Sequence, residues 1–172
     1  MKKLPKSLRG LSLIEMLLYV AISSIILLSL SLLLTFLLSQ RIKNQSISDV
    51  NQQGLQVMQL VTQTVRNARS IDTPSIGGTS SVLSMTMPDP LLSPTVFDVV
   101  NGVVRIKEGS NDVINLTNSH ISISSLLFQN ISSTSSTDRI VRVTFTVDHN
   151  NVNGRNENSF SKSFTGSATL RQ

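Results

Sequence analysis

The sequence predicts an α+β chain in which one long N-terminal α-helix, transmembrane in its first half, packs by its second half on a C-terminal antiparallel β-sheet. Three observations predict it. Residues 11–38 are a run of 28 whose only charge is Glu15. Residues 47–68 then carry apolar side chains at spacings of mostly three and four, the period of a helix with one buried stripe. From about Ser81 the apolar period becomes two and turn residues punctuate it, which is the pattern of half-buried strands.

The first ten residues are polar and basic, and Pro5 disfavours helix at the residue before it. They hold Lys2, Lys3, Lys6 and Arg9, four of the fifteen basic residues, so the rest of the chain is nearly neutral, with eleven bases against ten acids. The net charge of +5 and the pI near 10.1 therefore belong to this head. A basic flank before an apolar run is what keeps that flank on the cytoplasmic side of a membrane. With six Phe, one Tyr and no Trp to stack on bases, and no dense basic patch elsewhere, nucleic acid is not expected as a general partner. The absence of cysteine excludes disulfides, thiolate metal sites and cysteine nucleophiles.

As a helix, Leu11 to Leu38 would measure about 42 Å against the roughly 30 Å of a bilayer's hydrocarbon core. A secretory signal peptide has an apolar region of only about 7 to 15 residues followed by a small-x-small site. This run is far longer and its small residue, Gly10, precedes it. Serines 12, 23, 24, 29 and 31 and Thr35 are tolerable in lipid because their hydroxyls can bond to carbonyls of the same helix. Arg41 and Lys43 close the run, and the stripe of Ile47, Val50, Leu55, Met58, Val61, Val65 and Ala68 continues it. Gly54 costs about 1 kcal/mol in a helix and does not stop one. The helix should end near Ser70, before Asp72-Thr73-Pro74 and Gly77-Gly78. Four segments result: a basic leader over 1–10, a membrane span over 11–38, an amphipathic continuation over 39–72 and a sheet domain over 73–172.

Within the sheet domain, 82–87 reads as a strand closed by Pro88-Asp89-Pro90. Residues 99–106 read as a hairpin on Asn101-Gly102, and 113–116 follow the turn Glu108-Gly109-Ser110-Asn111. The alternation over 121–128 slips partway, which predicts a bulge or two short strands. Val141, Val143, Phe145 and Val147 should share one face of the strongest strand, 140–147. Phe160, Lys162, Phe164 and 168–171 supply a last strand or pair, while 132–137 and 148–158 are loops.

No residue pattern points to catalysis. Counted from Asp148, a calcium loop would need a ligand at Val152 and glycine at Asn153, so the spacing fails and a polar hairpin loop is the reading. His120 and His149, the two histidines, have no acid–base partner at helical or strand spacing. No nucleophile elbow, phosphate loop or metal signature occurs. The sequons at Asn115 and Asn130 are taken as incidental. The expectation is a non-enzymatic chain with no cofactor and no metal.

Gly10 followed by Leu11-Ser12-Leu13-Ile14-Glu15 and an uncharged run resembles the processing motif of type IV pilins and type II secretion pseudopilins. The motif covers residues 2 to about 38, and a helix leading into an antiparallel sheet extends the likeness loosely to the whole chain. The resemblance implies cleavage between Gly10 and Leu11 by a prepilin peptidase, which also N-methylates Leu11. It implies insertion in the cytoplasmic (inner) membrane with a cytoplasmic N-terminus and an extracytoplasmic head, then assembly with other pilin or pseudopilin subunits through the helix. Glu15 matches the family's glutamate, whose implied role is to pair with a neighbouring subunit's amino terminus. Leu at position 11 departs from the family's usual Phe, and no Pro or Gly interrupts the helix between Gly10 and Gly54. The length, the continuation Met58-Gln59-Leu60-Val61 and the ending Ala168-Thr169-Leu170-Arg171 are closest to J-type or W-type minor subunits, and Glu15 argues against a K-type tip subunit. Two alternatives share the anchor: a tip module for DNA uptake or adhesion using Arg105, Arg139, Arg142 and Arg155, and an unrelated membrane-anchored extracytoplasmic domain.

Overall fold

Among the described residues a single α-helix, α1 (Leu13–Asn67), comes first, and nine strands follow it in two antiparallel sheets. The computed structural model describes residues 12–134, 138–151 and 159–171. The expected α+β class is therefore the observed one, with two sheets where the sequence reading had one. The chain divides into a helical unit that ends at Arg41 and a second unit, Ile42–Gln172.

In the second unit, α1 buries Ser46, Val50, Gly54, Val57, Val61, Thr64 and Val65. Their spacing of three and four makes one stripe, and its valines join the same core as the strands. The stripe differs from the expected one at its middle. Leu55 is 53% exposed, and Gly54 and Val57 face inward in its place. The reason is the Phe164 ring, which occupies the space a side chain at position 54 would need. Phe164 in turn stacks on Phe145, with ring centroids 5.5 Å apart. An aromatic pair fills more of the interface than a leucine at 54 could, so the helix turns its glycine to the sheet.

The helix ends at Asn67, short of Ser70, because the backbone of Arg69 is already captured by a strand: its N–H donates to the Thr86 carbonyl at 2.8 Å. Residues expected as the last helical turn instead form β1 (Ser70–Thr73), paired antiparallel with β3 (Leu83–Thr86). The first sheet runs β1, β3, β4 (Thr95–Val100), β5 (Val103–Glu108), β6 (Ile114–Asn115). Its central hairpin turns on Asn101 and Gly102, both with positive φ, as an Asn-Gly turn of this twist requires. Asp98 and Arg105 face each other across that hairpin in a two-pronged ion pair, Nε to Oδ1 at 2.9 Å and Nη2 to Oδ2 at 2.6 Å.

The second sheet runs β2 (Thr79–Ser80), β7 (Ile121–Asn130), β8 (Ile140–His149), β9 (Ser161–Thr169). The slip expected in 121–128 is a bulge within one strand: pairing shifts between Ser124 and Leu127, and Ser125 has φ 55°. It moves the buried positions from Ile121 and Ile123 to Leu126, Phe128 and Asn130, so both halves face the core. Val141, Val143, Phe145 and Val147 of β8 are fully buried on one face, as their alternation requires. Phe164, Ala168 and Leu170 complete that layer.

The Gly54–Phe164 contact is testable. Alanine at 54 improves helix propensity by about 1 kcal/mol but overpacks a site with a fixed ring, which costs about 1–3 kcal/mol. The second effect should win because the ring that meets the new Cβ is itself stacked on Phe145, so shifting it disturbs the aromatic pair. Gly54→Ala should lower the Tm of the sheet unit by roughly 2–6 °C in thermal unfolding followed by circular dichroism. An unchanged or raised Tm contradicts the packing account.

Candidate membrane and assembly segment

From Ser12 to Leu38 every residue is exposed, including nineteen large apolar side chains from Leu13 to Leu38. An amphipathic helix of a globular protein hides one stripe, whereas this segment has none to hide. It is long and apolar enough to cross a membrane, and it is the one such helix among the described residues. Two of its hydroxyls, and that of Ser39 just beyond it, are satisfied within the helix. Ser24 donates to the Val20 carbonyl at 2.8 Å, Thr35 to Ser31 at 2.9 Å and Ser39 to Thr35 at 3.1 Å. Each bond closes a polar group that hydrocarbon could not solvate.

Gly10 and Leu11, the expected cleavage pair, lie outside the described residues. Glu15 stands in the first turn of α1. Its backbone N–H donates to the Ser12 carbonyl at 3.0 Å and to the Ser12 hydroxyl at 3.3 Å. Ser12 is therefore the N-cap and Glu15 the third helical residue. Ser-x-x-Glu before an apolar run is the capping-box pattern, in which the hydroxyl takes the third residue's N–H. The reading of the sequence as a membrane anchor passed over this second use of the motif. A carboxylate here also faces the positive end of the helix dipole, which favours it by about 0.3–1 kcal/mol.

Other expected sites are rearranged by the fold. Of the arginines of the binding-module reading, Arg105 lies in the first sheet and is paired with Asp98, while Arg142 lies on β8 in the second. Arg139 donates to the Ser133 carbonyl at 3.3 Å, and Arg155 lies outside the described residues, as does most of the loop tested for calcium. His120 and His149, unconnected in the sequence, line one pocket together with Asp49 and Gln45 of α1. Ile121 pairs with His149 across β7 and β8, which is why the two histidines meet. Among the described residues no group of three or more His, Asp or Glu is placed to hold a metal ion. Asn130 is buried and committed, its amide donating to the Pro74 carbonyl at 2.9 Å and its oxygen accepting from Ser132 N–H at 3.2 Å.

No protein-family model, curated protein or solved structure matches the chain. The class supported by the fold is thus a coarse one: an α+β chain with one N-terminal helix apolar enough to span a membrane.

The membrane reading has a direct consequence. Expressed in a bacterial host, the chain should stay with membranes through high-salt and carbonate washes and be released by detergent. Placing Arg at Leu27, near the middle of the run, adds about 2.5–3.5 kcal/mol to insertion and should shift the chain into the soluble or aggregated fraction. Carbonate release of the unsubstituted chain contradicts the reading.

Proposed function

We propose that this chain is a structural subunit, a minor pilin or pseudopilin, of a type IV pilus, competence pilus or type II secretion pseudopilus. Prepilin peptidase removes residues 1–10 and methylates Leu11, and the helix from Leu11 to Leu38 first parks in the cytoplasmic membrane and then packs among neighbouring helices in the filament. One observation carries the reading: an apolar segment exposed on every side holds a single carboxylate in its first turn. An anchor needs the first feature and gains from the second only what a helix cap supplies.

The physical role of Glu15 follows from where it sits. Three or four residues into the helix, it lies about 5–6 Å along the axis from the start, shallow enough to reach headgroup water. Inside a bundle of helices that water is gone, and an unpaired charge is costly. The new amino terminus of Leu11 is the group of opposite sign that each subunit brings with it. Pairing Glu15 with a neighbour's terminus would fix the axial register of helices that otherwise slide, as one polar residue fixes coiled-coil register. Ser12 supports this by capping the turn that carries Glu15.

Intact-mass analysis of the chain from cells that possess a prepilin peptidase tests the proposal. The mass should show the loss of residues 1–10 and the gain of one methyl group. Glu15→Ala should be cleaved as the unsubstituted chain is, yet accumulate in the membrane and not in filaments. A mature chain that retains residues 1–10 overturns the assignment and leaves an anchored domain of another kind.

A further inference from the structure

Three arginines meet where the end of α1 lies against the end of β9. Arg66, Arg69 and Arg171 line a cavity of about 710 Å³ with Asn67, Ala68, Pro88 and Leu170. An adjoining cavity of about 450 Å³ shares Arg66, Asn67, Leu170 and Arg171 and adds Gln63 and Thr169. No acidic side chain lines either one.

The backbones that carry these guanidinium groups are fixed. Arg69 follows Ala68 and Arg171 follows Leu170, both core residues. Arg171 N–H donates to the Arg66 carbonyl at 3.0 Å, tying the two segments together, and Arg69 N–H is held by Thr86. The acids nearest in sequence are spent elsewhere: Asp72 accepts from Ser70 and Thr86, and Asp89 caps a short turn through Leu91 N–H. Among the described residues no ion pair is found between these three cations and a carboxylate. Arg66 in the last turn of α1 is partly explained by the helix dipole. Arg69 and Arg171 lie beyond the helix and are not.

Three arginines lining one cavity with no acidic side chain in its wall give it a positive lining that favours an anion. Their planar forks match the oxygens of phosphate, which can accept from two donors at once. We propose that this cleft binds a small phosphate ester, with Arg69 and Arg171 as its principal contacts. The volume falls in the range of small-molecule sites. The apolar wall of Ala68, Pro88 and Leu170 suits an organic group attached to the phosphate. No aromatic residue lines the cleft to stack a base, and the remaining described arginines do not extend it, which disfavours a nucleic-acid strand. The inference does not depend on filament assembly.

Inorganic pyrophosphate is the probe, titrated against the full chain in non-ionic detergent, with Tm and calorimetry as readouts. Binding should occur with a Kd below about 1 mM at low ionic strength. The double variant Arg69→Gln, Arg171→Gln should lose about tenfold or more in affinity, while Arg142→Gln, on another face, should not. Circular dichroism without ligand reports whether the double variant folds, and if it does not, each single variant is used and should lose part of the affinity. Absence of any Tm shift up to about 10 mM pyrophosphate, or an equal shift in the folded variants, overturns the proposal. So does a random-sequence DNA duplex that binds at this cleft and is not displaced by pyrophosphate.

Discussion

One constraint shapes the whole chain: a single helix has to satisfy two different surroundings. Its first part exposes leucine, isoleucine and valine on every side, and it is long and apolar enough to cross a membrane and favours apolar surroundings. Its second part shows an inner stripe of Val50, Gly54, Val57, Val61 and Val65 and is polar elsewhere, so it is held by strands. The remainder of the fold answers the second requirement. Two antiparallel sheets supply a core of mainly aliphatic residues, and Phe97, Phe128, Phe145 and Phe164 provide the large side chains that few aromatics allow. Without a disulfide, packing such as Phe164 over Gly54 is what joins helix to sheet.

Glu15 belongs to the first requirement and is in tension with it. Two physical effects make its position tolerable. The cap from Ser12 orders the first turn, and the dipole of a long helix favours a negative charge at this end. Neither effect accounts for a charge in preference to a neutral side chain, since Gln also completes a capping box. A positive terminus brought by a neighbouring helix, as in the assembly proposed above, would account for it.

The parts of the fold that are written locally were legible in the sequence. The Asn101-Gly102 turn, the alternation of 141–147 and the slip in 121–128 each depend on a few adjacent residues, and each stands where those residues put it. What depends on distant pairing was not legible. The split into two sheets follows from partnerships such as Thr79 with Gln129, which no local pattern announces. Helix α1 stops at Asn67 because Thr86 competes for Arg69, and Leu55 yields to Gly54 because Phe164 is more than a hundred residues away. The site shows the same division. The basic head, Gly10, the apolar run and Glu15 are a contiguous motif. The cap made by Ser12 was present in that motif as Ser-x-x-Glu and was passed over, while the cleft of Arg66, Arg69 and Arg171 exists only once the two ends of the sheet unit meet.

The central claim is that the charge of Glu15, and not its place in a cap, serves assembly. Replacing it with Gln keeps the hydrogen-bonding partner that a capping box accepts and removes the charge. Incorporation of Glu15→Gln into filaments, measured in the sheared fibre fraction of cells that process the chain, separates the two roles. The account predicts that the variant is cleaved, remains in the membrane and is missing from the fibres. A Glu15→Gln chain recovered in fibres at the level of the unsubstituted one would contradict it.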